Sequence, residues 1–186
     1  MKSAYDVIII GAGPAGLSCA RELQKSDKTI LLLEKNKEIG PKVCAGGLTT
    51  KIEELGFSLE MADVLFSSVK INIPGKTKTF SGVKPFISTI GRGRLGKIFL
   101  EKISKRVEIF PEAKVTRIEE NFIEVNGETI KYRYLVGADG TGSLVRRFLD
   151  LKNNKILRAL QYKIPGKFKD MELFFDAYLF GTGYAW

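Results

Sequence analysis

The chain has 186 residues, of which 44% are hydrophobic and 27% charged, as in an ordinary globular protein with one domain or one and a fraction. Its 30 Lys and Arg residues exceed its 21 Asp and Glu residues, which gives a formal net charge of +9. Histidine is absent, which excludes His-based triads and His metal sites, and we expect no metal centre.

Cysteine usage and charge distribution limit the compartment and the partners. Cys19 and Cys44 are too few for a disulfide framework, so we expect a reducing interior. The basic residues are scattered without interleaved aromatic side chains, so no nucleic-acid partner is expected. A phosphorylated substrate, an anionic membrane surface and a generally basic solvated surface all stay open. Because no signal peptide precedes the first strand and no apolar run approaches about 20 residues, we expect a cytoplasmic protein and leave membrane association open.

The first 34 residues carry the strongest pattern. Asp6–Ile10 is an apolar, β-branched run that predicts a strand buried on both faces. Residues 11–16 read Gly-Ala-Gly-Pro-Ala-Gly and match G-x-G-x-x-G, after which Leu17–Lys25 predicts a helix. Thr29–Leu33 predicts a second strand, and Glu34 closes it. Strand, glycines, helix, strand and terminal acid, in that order, predict a dinucleotide-binding βαβ unit.

Each of these residue types suits a nucleotide. Gly11 allows a tight turn, Gly13 lets a pyrophosphate approach the backbone, and Gly16 lets the helix pack closely on the strand. The helix N-terminus offers unpaired N–H groups to the anion. The Glu34 carboxylate can accept hydrogen bonds from ribose hydroxyls, and Lys35 can lie along the adenine or neutralise the cofactor. The alternative is a glycine-rich turn that only connects two elements, and the pattern alone would serve FAD or NAD.

The next segment places a cysteine beside two glycines. Residues 41–48 form a loop that contains Cys44 and leads into a helix predicted over Thr49–Leu55. Glycines in a loop indicate close approach of the backbone to a flat or bulky group. The alternative is that Cys44 is a small, partly buried filler.

A hairpin, a strand and a helix are predicted next. Val69–Ile73 and Thr77–Phe80 flank a Pro-Gly turn, and Pro85–Ile90 predicts a strand. A helix is predicted from Gly91 to about Lys105, with apolar residues at turn spacing. Arg92, near its start, is either directed at a phosphate or a solvated charge, and the pattern alone favours the solvated charge.

A second strand–turn–helix follows. Val107–Phe110 predicts a strand, and residues 113–132 predict a small antiparallel meander that turns at Asn-Gly. Tyr134–Ala138 predicts a buried strand that ends at Asp139 and Gly140, and Ser143 can cap a helix to about Leu149. Because ligands bind at the carboxyl ends of parallel strands, this turn is a candidate ligand edge. The alternative is an Asp-Gly turn with an N-cap.

The remaining residues predict the beginning of a second, mixed domain. Lys155–Ile164 and Met171–Leu179 predict strands, and the aromatic, glycine-rich end at 180–186 stops in mid-pattern, so we expect a fragment. The predicted division is a discontinuous dinucleotide-binding domain of residues 1–66 and 91–150 and a second, partial domain of residues 67–90 and 151–186, truncated at its C-terminus.

Three stretches carry a resemblance to a known family. Residues 137–146 read Gly-Ala-Asp-Gly-x-x-Ser-x-x-Arg, similar to flavoproteins related to p-hydroxybenzoate hydroxylase. Residues 41–47 read Pro-Lys-Val-Cys-Ala-Gly-Gly, and the terminal Tyr-Ala-Trp is similar to the start of a Tyr-x-Trp-x-Phe-Pro motif. With the glycine turn, Glu34 and Arg92, the whole chain resembles the N-terminal part of the FAD-dependent geranylgeranyl reductase family.

The resemblance implies a fold and a set of site residues. The fold is α/β, a Rossmann-type, glutathione-reductase-like FAD-binding domain with the beginning of a mixed α+β substrate domain. Cys44 is the implied catalytic residue near the flavin, as proton source or positioning contact. Tyr184 and Trp186 would line the substrate cavity. The implied cofactor-binding residues are Gly11, Gly13, Ala15, Gly16, Glu34, Lys35, Cys44, Ala45, Gly47, Arg92, Val115, Asp139 and Gly140.

The implied activity is saturation of isolated double bonds in geranylgeranyl or other isoprenoid chains of lipid or chlorophyll-type precursors. FAD would be the resident cofactor, and NAD(P)H or another reductant the electron donor. The family's Gly-Asp segment for the ribityl and pyrophosphate portion of FAD lies beyond Trp186, so we expect these residues to bind the adenine half. Two alternatives stay open: an FAD-dependent monooxygenase of aromatic or quinone precursors, and a non-catalytic flavoprotein fragment. Oligomeric state is left open.

Overall fold

A computed structural model describes residues 1–152, 157–162, 164–166, 168 and 170–186. The chain forms two compact units, and it contributes to each of them twice. Unit 1 comprises Met1–Lys42 and Arg92–Arg158, and unit 2 comprises Val43–Gly91 and Ala159–Trp186. The division of function between a cofactor domain and a substrate domain stays a prediction.

Helices separate runs of strands along the chain. Short 3-10 segments lie at Thr50–Leu55 and Leu59–Met61. The other elements, in chain order, are β1 (Ala4–Ile10), α1 (Pro14–Leu23), β2 (Ile30–Leu33), β3 (Gly47–Thr49), β4 (Val64–Phe66), β5 (Ser68–Ile73), β6 (Lys76–Ser81), β7 (Ile87–Thr89), α2 (Arg92–Glu101), β8 (Val107–Phe110), β9 (Val115–Ile118), β10 (Phe122–Val125), β11 (Glu128–Gly137), α3 (Leu144–Phe148), β12 (Met171–Phe174) and α4 (Ala177–Phe180).

Unit 1 is built on a six-stranded sheet in the order β8-β2-β1-β11-β10-β9. The first four strands in this order are mutually parallel. Strand β10 pairs antiparallel with β11, and β9 pairs antiparallel with β10. In the register, Ile10 lies beside both Gly137 and Leu33, and Leu33 lies beside Phe110. The carboxyl ends of four parallel strands therefore meet at one edge, as predicted for a Rossmann-type α/β fold.

The strands at the centre of this sheet are covered on both faces. Ile8 and Ile9 are fully buried, as are Leu31 and Leu32. Alternate residues of a strand point to opposite faces, so such a run needs apolar partners on both sides. Helix α1 packs against β1, β2 and α2 on one face. The other face packs against an apolar cluster that includes Ile123, and the predicted burial of the first strand is confirmed.

The predicted meander and the predicted strand after it are one continuous element. β11 runs for ten residues, pairing antiparallel with β10 over Glu128–Lys131 and parallel with β1 over Lys131–Gly137. The division between a meander that ends at residue 132 and a separate strand that begins at Tyr134 was therefore wrong. The prediction that Tyr134–Ala138 is buried is also wrong, because Tyr134 is 53% exposed and none of the other four residues is more than half-buried.

Unit 2 contains two three-stranded sheets, in the orders β12-β5-β6 and β3-β7-β4. The predicted hairpin is confirmed, since β5 and β6 pair antiparallel around Pro74 and Gly75. Strand β12 joins β5 in parallel.

Three predicted elements differ in extent or type. The helix over Thr49–Leu55 is a 3-10 segment, the helix to Lys105 ends at Glu101, and Met171–Leu179 is a strand followed by helix α4. Of the predicted strand Lys155–Ile164, residues 155, 156 and 163 lie outside the described residues, and the described ones form no strand. No helix in the described part of the chain is long and apolar enough to cross a bilayer.

The amino end of β1 is held by an ionic network. The Tyr5 hydroxyl donates to Glu108 Oε2 at 2.7 Å, and Lys2 Nζ lies 2.7 Å from Glu108 Oε1. Hydrogen bonds from Lys2 and Tyr5 lower the pKa of Glu108 below its ordinary 4.5. Burial, with the neighbouring carboxylate, raises the pKa of Tyr5 to about 12. The network ties the N-terminus to the outermost parallel strand, β8.

The network predicts a pH-dependent stability term. We expect the Glu108→Gln variant to lose about 1 kcal/mol of unfolding free energy at neutral pH, because a half-exposed ion pair contributes this much at most. The pKa of Glu108 is lower in the folded chain than in the unfolded one, so the term is present above pH 4.5 and is lost as the pH falls through the folded-state value. Urea unfolding of both proteins across this range measures the difference. Glu128→Gln, at an exposed position of β11, is the control and should change stability by less than about 0.5 kcal/mol. Parallel stability curves for Glu108→Gln and the wild type would contradict the prediction.

Candidate cofactor site

The turn between β1 and α1 brings three pieces of backbone into contact. Gly11 adopts φ of +101°, and a Cβ atom there would overlap the carbonyl oxygen of Ala138 at the end of β11. A Cβ atom on Gly16 would overlap the carbonyl oxygen of Gly11. Both positions require glycine, the first for its conformation as well as its contact and the second for its contact alone. The predicted reasons for these two glycines are therefore present in the geometry.

Gly13 differs from the other two glycines. No described heavy atom lies within 4 Å of the place where its Cβ would be. It is the N-cap of α1 and offers no side chain to the helix, and the first hydrogen bond of the helix joins Leu17 N–H to Gly13 O at 3.0 Å. The N–H groups of Ala15 and Gly16, which precede Leu17, have no acceptor inside the helix. Open space and unpaired donors at a positive helix end suit an anion.

Glu34 is a buried carboxylate beside this turn. The residue is only 9% exposed. Oε2 accepts from Ala12 N–H at 3.0 Å, and Oε1 accepts from the backbone N–H and the side-chain amide of Asn36 at 2.9 and 2.7 Å. A carboxylate has about four acceptor positions, so these three bonds leave one for a further donor. The arrangement fixes Glu34 against the glycine turn and still allows one hydroxyl group to bind it.

The segment after Glu34 is packed on α2. Gly40 and Gly96 are in backbone contact, because a Cβ atom on Gly96 would lie 2.6 Å from Gly40 Cα. Arg92 begins α2 and is half-buried, and Lys35 is exposed. Val115 begins β9, is half-buried, and packs against the apolar cluster of unit 1. The roles predicted for these three side chains toward a cofactor stay predictions.

Asp139 holds the start of α3. Its Oδ1 accepts from the Ser143 hydroxyl at 2.6 Å, and its Oδ2 accepts from Leu144 N–H at 2.6 Å. The Ser143 side chain accepts from Arg146 N–H, as predicted for an N-cap. The Asp-Gly turn with a cap, which was the alternative for this motif, is therefore the geometry observed in the chain. Gly140 is exposed at the same turn.

In unit 2, the Cys44 loop is fastened to a distant glutamine. Gln161 Nε2 donates to Cys44 O at 3.0 Å, and Gln161 Oε1 accepts from Cys44 N–H at 3.3 Å. Cys44 and Ala45 are half-buried, and Gly47 is exposed at the start of β3. Cys44 is not in a disulfide. The other cysteine, Cys19, lies in α1 of unit 1, where burial raises its pKa.

Tyr184 and Trp186 lie on a short aromatic ladder. Phe174 and Ala185 exchange two backbone hydrogen bonds of 2.8 and 2.9 Å, which extends the edge of β12. Tyr184 stacks on Phe175 with ring centroids 5.4 Å apart, and its ring is 6.0 Å from that of Trp186. Tyr184 and Trp186 remain 51% and 45% exposed. The ladder presents a half-exposed apolar surface.

Unit 1 thus brings together the three glycines, Glu34 and Asp139, and unit 2 brings Cys44 together with Gln161. Two residues were missed by the sequence reasoning. Asn36 lies two residues after Glu34, where a short amide can bond back to a carboxylate, and this spacing was a usable signal. Gln161 is 117 residues from Cys44, and no local pattern reveals the pair.

The chain is similar in sequence to curated proteins. Digeranylgeranylglycerophospholipid reductase 1 of Methanococcoides burtonii is 34% identical over 189 residues, which cover 89% of this chain and 46% of that protein. This chain spans about half the length of the curated reductases it matches. The predicted resemblance to the geranylgeranyl reductases is confirmed.

Solved structures share the fold. A geranylgeranyl bacteriochlorophyll reductase-like protein from Thermoplasma acidophilum superposes with a TM-score of 0.72 at 20% identity, over 93% of this chain and 50% of that one. A probable FAD-dependent monooxygenase from Pseudomonas aeruginosa gives 0.67 at 21% identity, over 83% and 48%. The model of the family described as pyridine nucleotide-disulphide oxidoreductase matches residues 5–169. With the glycine turn, Glu34 and the parallel sheet of unit 1, this match shows that the chain belongs to the pyridine nucleotide-disulphide oxidoreductase family.

Proposed function

We propose that this chain binds FAD through the glycine turn and Glu34, and that the whole protein is an FAD-dependent reductase that saturates double bonds of geranylgeranyl or other isoprenoid chains. The observation that carries the proposal is the open space at Gly13, in front of unpaired N–H groups and beside the Glu34 carboxylate. The substrate class is supported by relatives named digeranylgeranylglycerophospholipid reductase.

The residues of unit 1 fit the adenosine diphosphate part of FAD. A pyrophosphate needs donors and room, and the α1 N-terminus offers both at Gly13. A ribose hydroxyl needs an acceptor, and Glu34 retains one acceptor position after its bonds to Ala12 and Asn36. Lys35 is exposed and free to lie over an adenine ring, and Arg92, Val115, Asp139 and Gly140 are proposed as further cofactor contacts.

FAD supplies hydride chemistry when bound, and NAD(P)H or another reductant would supply its electrons. An isolated alkene has no carbonyl to polarise, so the protein must hold it in place and provide a proton. Cys44 is our candidate for the proton donor or for a positioning contact, with Ala45 and Gly47 beside it. Tyr184 and Trp186 offer aromatic faces against which an isoprenoid chain can lie.

A second candidate is an FAD-dependent monooxygenase acting on an aromatic ring or a quinone precursor. The fold is compatible with it, because a probable FAD-dependent monooxygenase shares that fold. The two activities differ in their products and in oxygen use. Stoichiometric oxygen consumption with a hydroxylated product would select the monooxygenase, and a saturated product formed without oxygen would select the reductase. A complete reading frame that purifies without flavin would instead indicate a non-catalytic protein.

The nucleotide site can be tested with the 186-residue chain. We expect FAD and ADP to bind, and FMN not to compete, since the fit described above involves only the adenosine diphosphate half. Gly13→Ala should leave the unfolding free energy within about 0.5 kcal/mol of the wild type, because its Cβ meets open space, and should weaken FAD and ADP at least tenfold (about 1.4 kcal/mol). Titration calorimetry measures the affinities. Gly93→Ala, which adds the same methyl group to the first turn of α2, is the control and should bind as the wild type. Unchanged affinity in Gly13→Ala would remove the glycine turn as the phosphate site.

The role of Cys44 can be tested in the full-length protein. We expect Cys44→Ala to lower kcat for alkene saturation about 100-fold if the thiol delivers the proton, since general acid catalysis typically contributes 10² to 10⁴. Cys44→Ser keeps a donor in place and should lose less. Cys19→Ser is the matched control, because this cysteine lies in α1 of unit 1. Full alkene reduction by both Cys44 variants would exclude a role for the thiol.

The basic surface suits an anionic membrane or an anionic head group on the substrate. With a net charge of +9, we expect association with vesicles that contain anionic phospholipid, and loss of that association as salt screens the charges. Co-sedimentation at low and high salt, with neutral vesicles as the control, measures it. Association that is independent of salt and of vesicle charge would remove this part of the proposal.

A further inference from the structure

We propose that Gln161 is a positioning residue that fixes the backbone at Cys44 and thereby the place of the Cys44 thiol. Its importance for the reaction rests on the proposed function, whereas its effect on the loop can be measured without any cofactor. Gln161 is far from Cys44 in sequence, and the described residues around it, 157–162, form no helix or strand. The contact between them lies within unit 2.

The side-chain amide of Gln161 imitates a neighbouring strand. It donates one hydrogen bond to Cys44 O at 3.0 Å and accepts one from Cys44 N–H at 3.3 Å. A residue of an antiparallel strand makes the same pair of bonds with its partner. Because the two bonds engage both backbone polar groups of one residue, they restrict the φ and ψ angles on either side of the Cys44 Cα.

The same loop has a second fixed point two residues later. Ile90 N–H donates to Gly46 O at 3.1 Å, and Gly46 adopts φ of +81° with no room for a side chain beneath Ile90 O. Strand β3 then begins at Gly47 and pairs with β7. The clamp at Cys44 and the hydrogen bond at Gly46 therefore fix the backbone just before β3. The residue between these two points has little conformational freedom.

The exposure of the neighbouring side chains shows where Gln161 is directed. Leu160 and Tyr162 are 84% and 83% exposed, whereas Gln161 between them is half-buried. Ordering a long amide side chain costs up to about 2 kcal/mol of conformational entropy. Two hydrogen bonds to the loop offset that cost, because the amide uses its donor for Cys44 O and its acceptor for Cys44 N–H.

A fixed Cys44 backbone matters because proton transfer and substrate contact are sensitive to small displacements. A reacting group must lie within about 3 to 3.5 Å of its partner, and a shift of about 1 Å can cost 100-fold in rate. A cysteine has one side-chain torsion before its sulfur, so the backbone sets the sulfur position to within a rotamer. Gln161 therefore acts on the thiol indirectly, through the backbone of Cys44.

The experiment uses the 186-residue chain in a Cys19→Ser background, so that Cys44 is the one reactive thiol. Gln161→Ala should raise the rate of Cys44 alkylation by iodoacetamide at least threefold and lower the hydrogen-exchange protection of the Cys44 amide about tenfold, because the loop is released. The matched control is Gln24→Ala. Gln24 makes the same kind of two-bond clamp in unit 1, donating to Lys102 O at 3.0 Å and accepting from Ser104 N–H at 2.5 Å. Its loss should leave both Cys44 readouts unchanged.

Gln161→Glu gives a reversible version of the same test within one protein. At neutral pH its carboxylate cannot donate to Cys44 O and repels that carbonyl oxygen, so the two-bond clamp cannot form and the amide of Cys44 should be less protected than in the wild type. As the pH falls toward about 4, the carboxylic acid regains a donor and protection should return. Gln161→Ala should show no such recovery. A global loss of stability would not reverse with this pH dependence.

The outcomes separate this inference from the proposed function. Wild-type alkylation and wild-type protection in Gln161→Ala would overturn the clamp, even if FAD and ADP bind normally. A released loop in Gln161→Ala, with pH-dependent recovery in Gln161→Glu, would support it even if the chain binds no nucleotide, and in that case the proposed function alone would fail.

Discussion

The close contact between α1 and the end of β1 is the constraint on which unit 1 depends. Gly16 rests on the carbonyl oxygen of Gly11, and Gly11 rests on Ala138 at the end of β11. No side chain fits at either position, so the helix start, the first strand and the long parallel strand meet as bare backbone. One consequence is that the α1 N–H groups face the carboxyl edge of the sheet. The Cβ position of Gly13 is not crowded in this way, which leaves open space at the start of α1, where an anion needs room.

Glu34 connects the glycine turn to the end of β2. A buried carboxylate must be hydrogen-bonded, and Glu34 is satisfied by Ala12 N–H and by Asn36. Hydrogen bonds to a charged group contribute about 1.5 to 3 kcal/mol each, so this side chain stabilises the turn as well as offering a ligand contact. A site whose acceptor is already held in place loses little entropy when a hydroxyl binds, which is the physical meaning of preorganisation.

Local pattern was sufficient to predict β1, β2 and the glycine turn of unit 1 and the hairpin of unit 2, and insufficient to predict burial in β11 or contacts between distant segments. β1 and β2 followed from short apolar runs that only a doubly covered strand can bury, and the glycines followed from the turn between strand and helix. The exposure of Tyr134 did not follow, because burial of a strand depends on what covers it and not on its own composition. The pairing of Gln161 with Cys44 joins positions 117 residues apart, and hydrogen bonds between irregular segments leave no periodic signal in a sequence.

The division of the chain into two units bears on which residues determine specificity for a substrate. A reductase-like protein and a probable monooxygenase both share the fold of this chain, so the sheet of unit 1 and its glycine turn cannot decide between the two chemistries. A phosphate site of the kind we propose at Gly13 would recognise what all such cofactors have in common. Selection of a substrate would then depend on groups outside the glycine turn. We propose that these are two features of unit 2, the cysteine held by the Gln161 clamp and the aromatic ladder that ends in Trp186. We therefore expect changes of substrate among relatives to follow the Cys44–Gln161 clamp and the aromatic ladder, while Gly11 and Gly16 stay constant for reasons of packing and Gly13 stays constant as our proposed phosphate site.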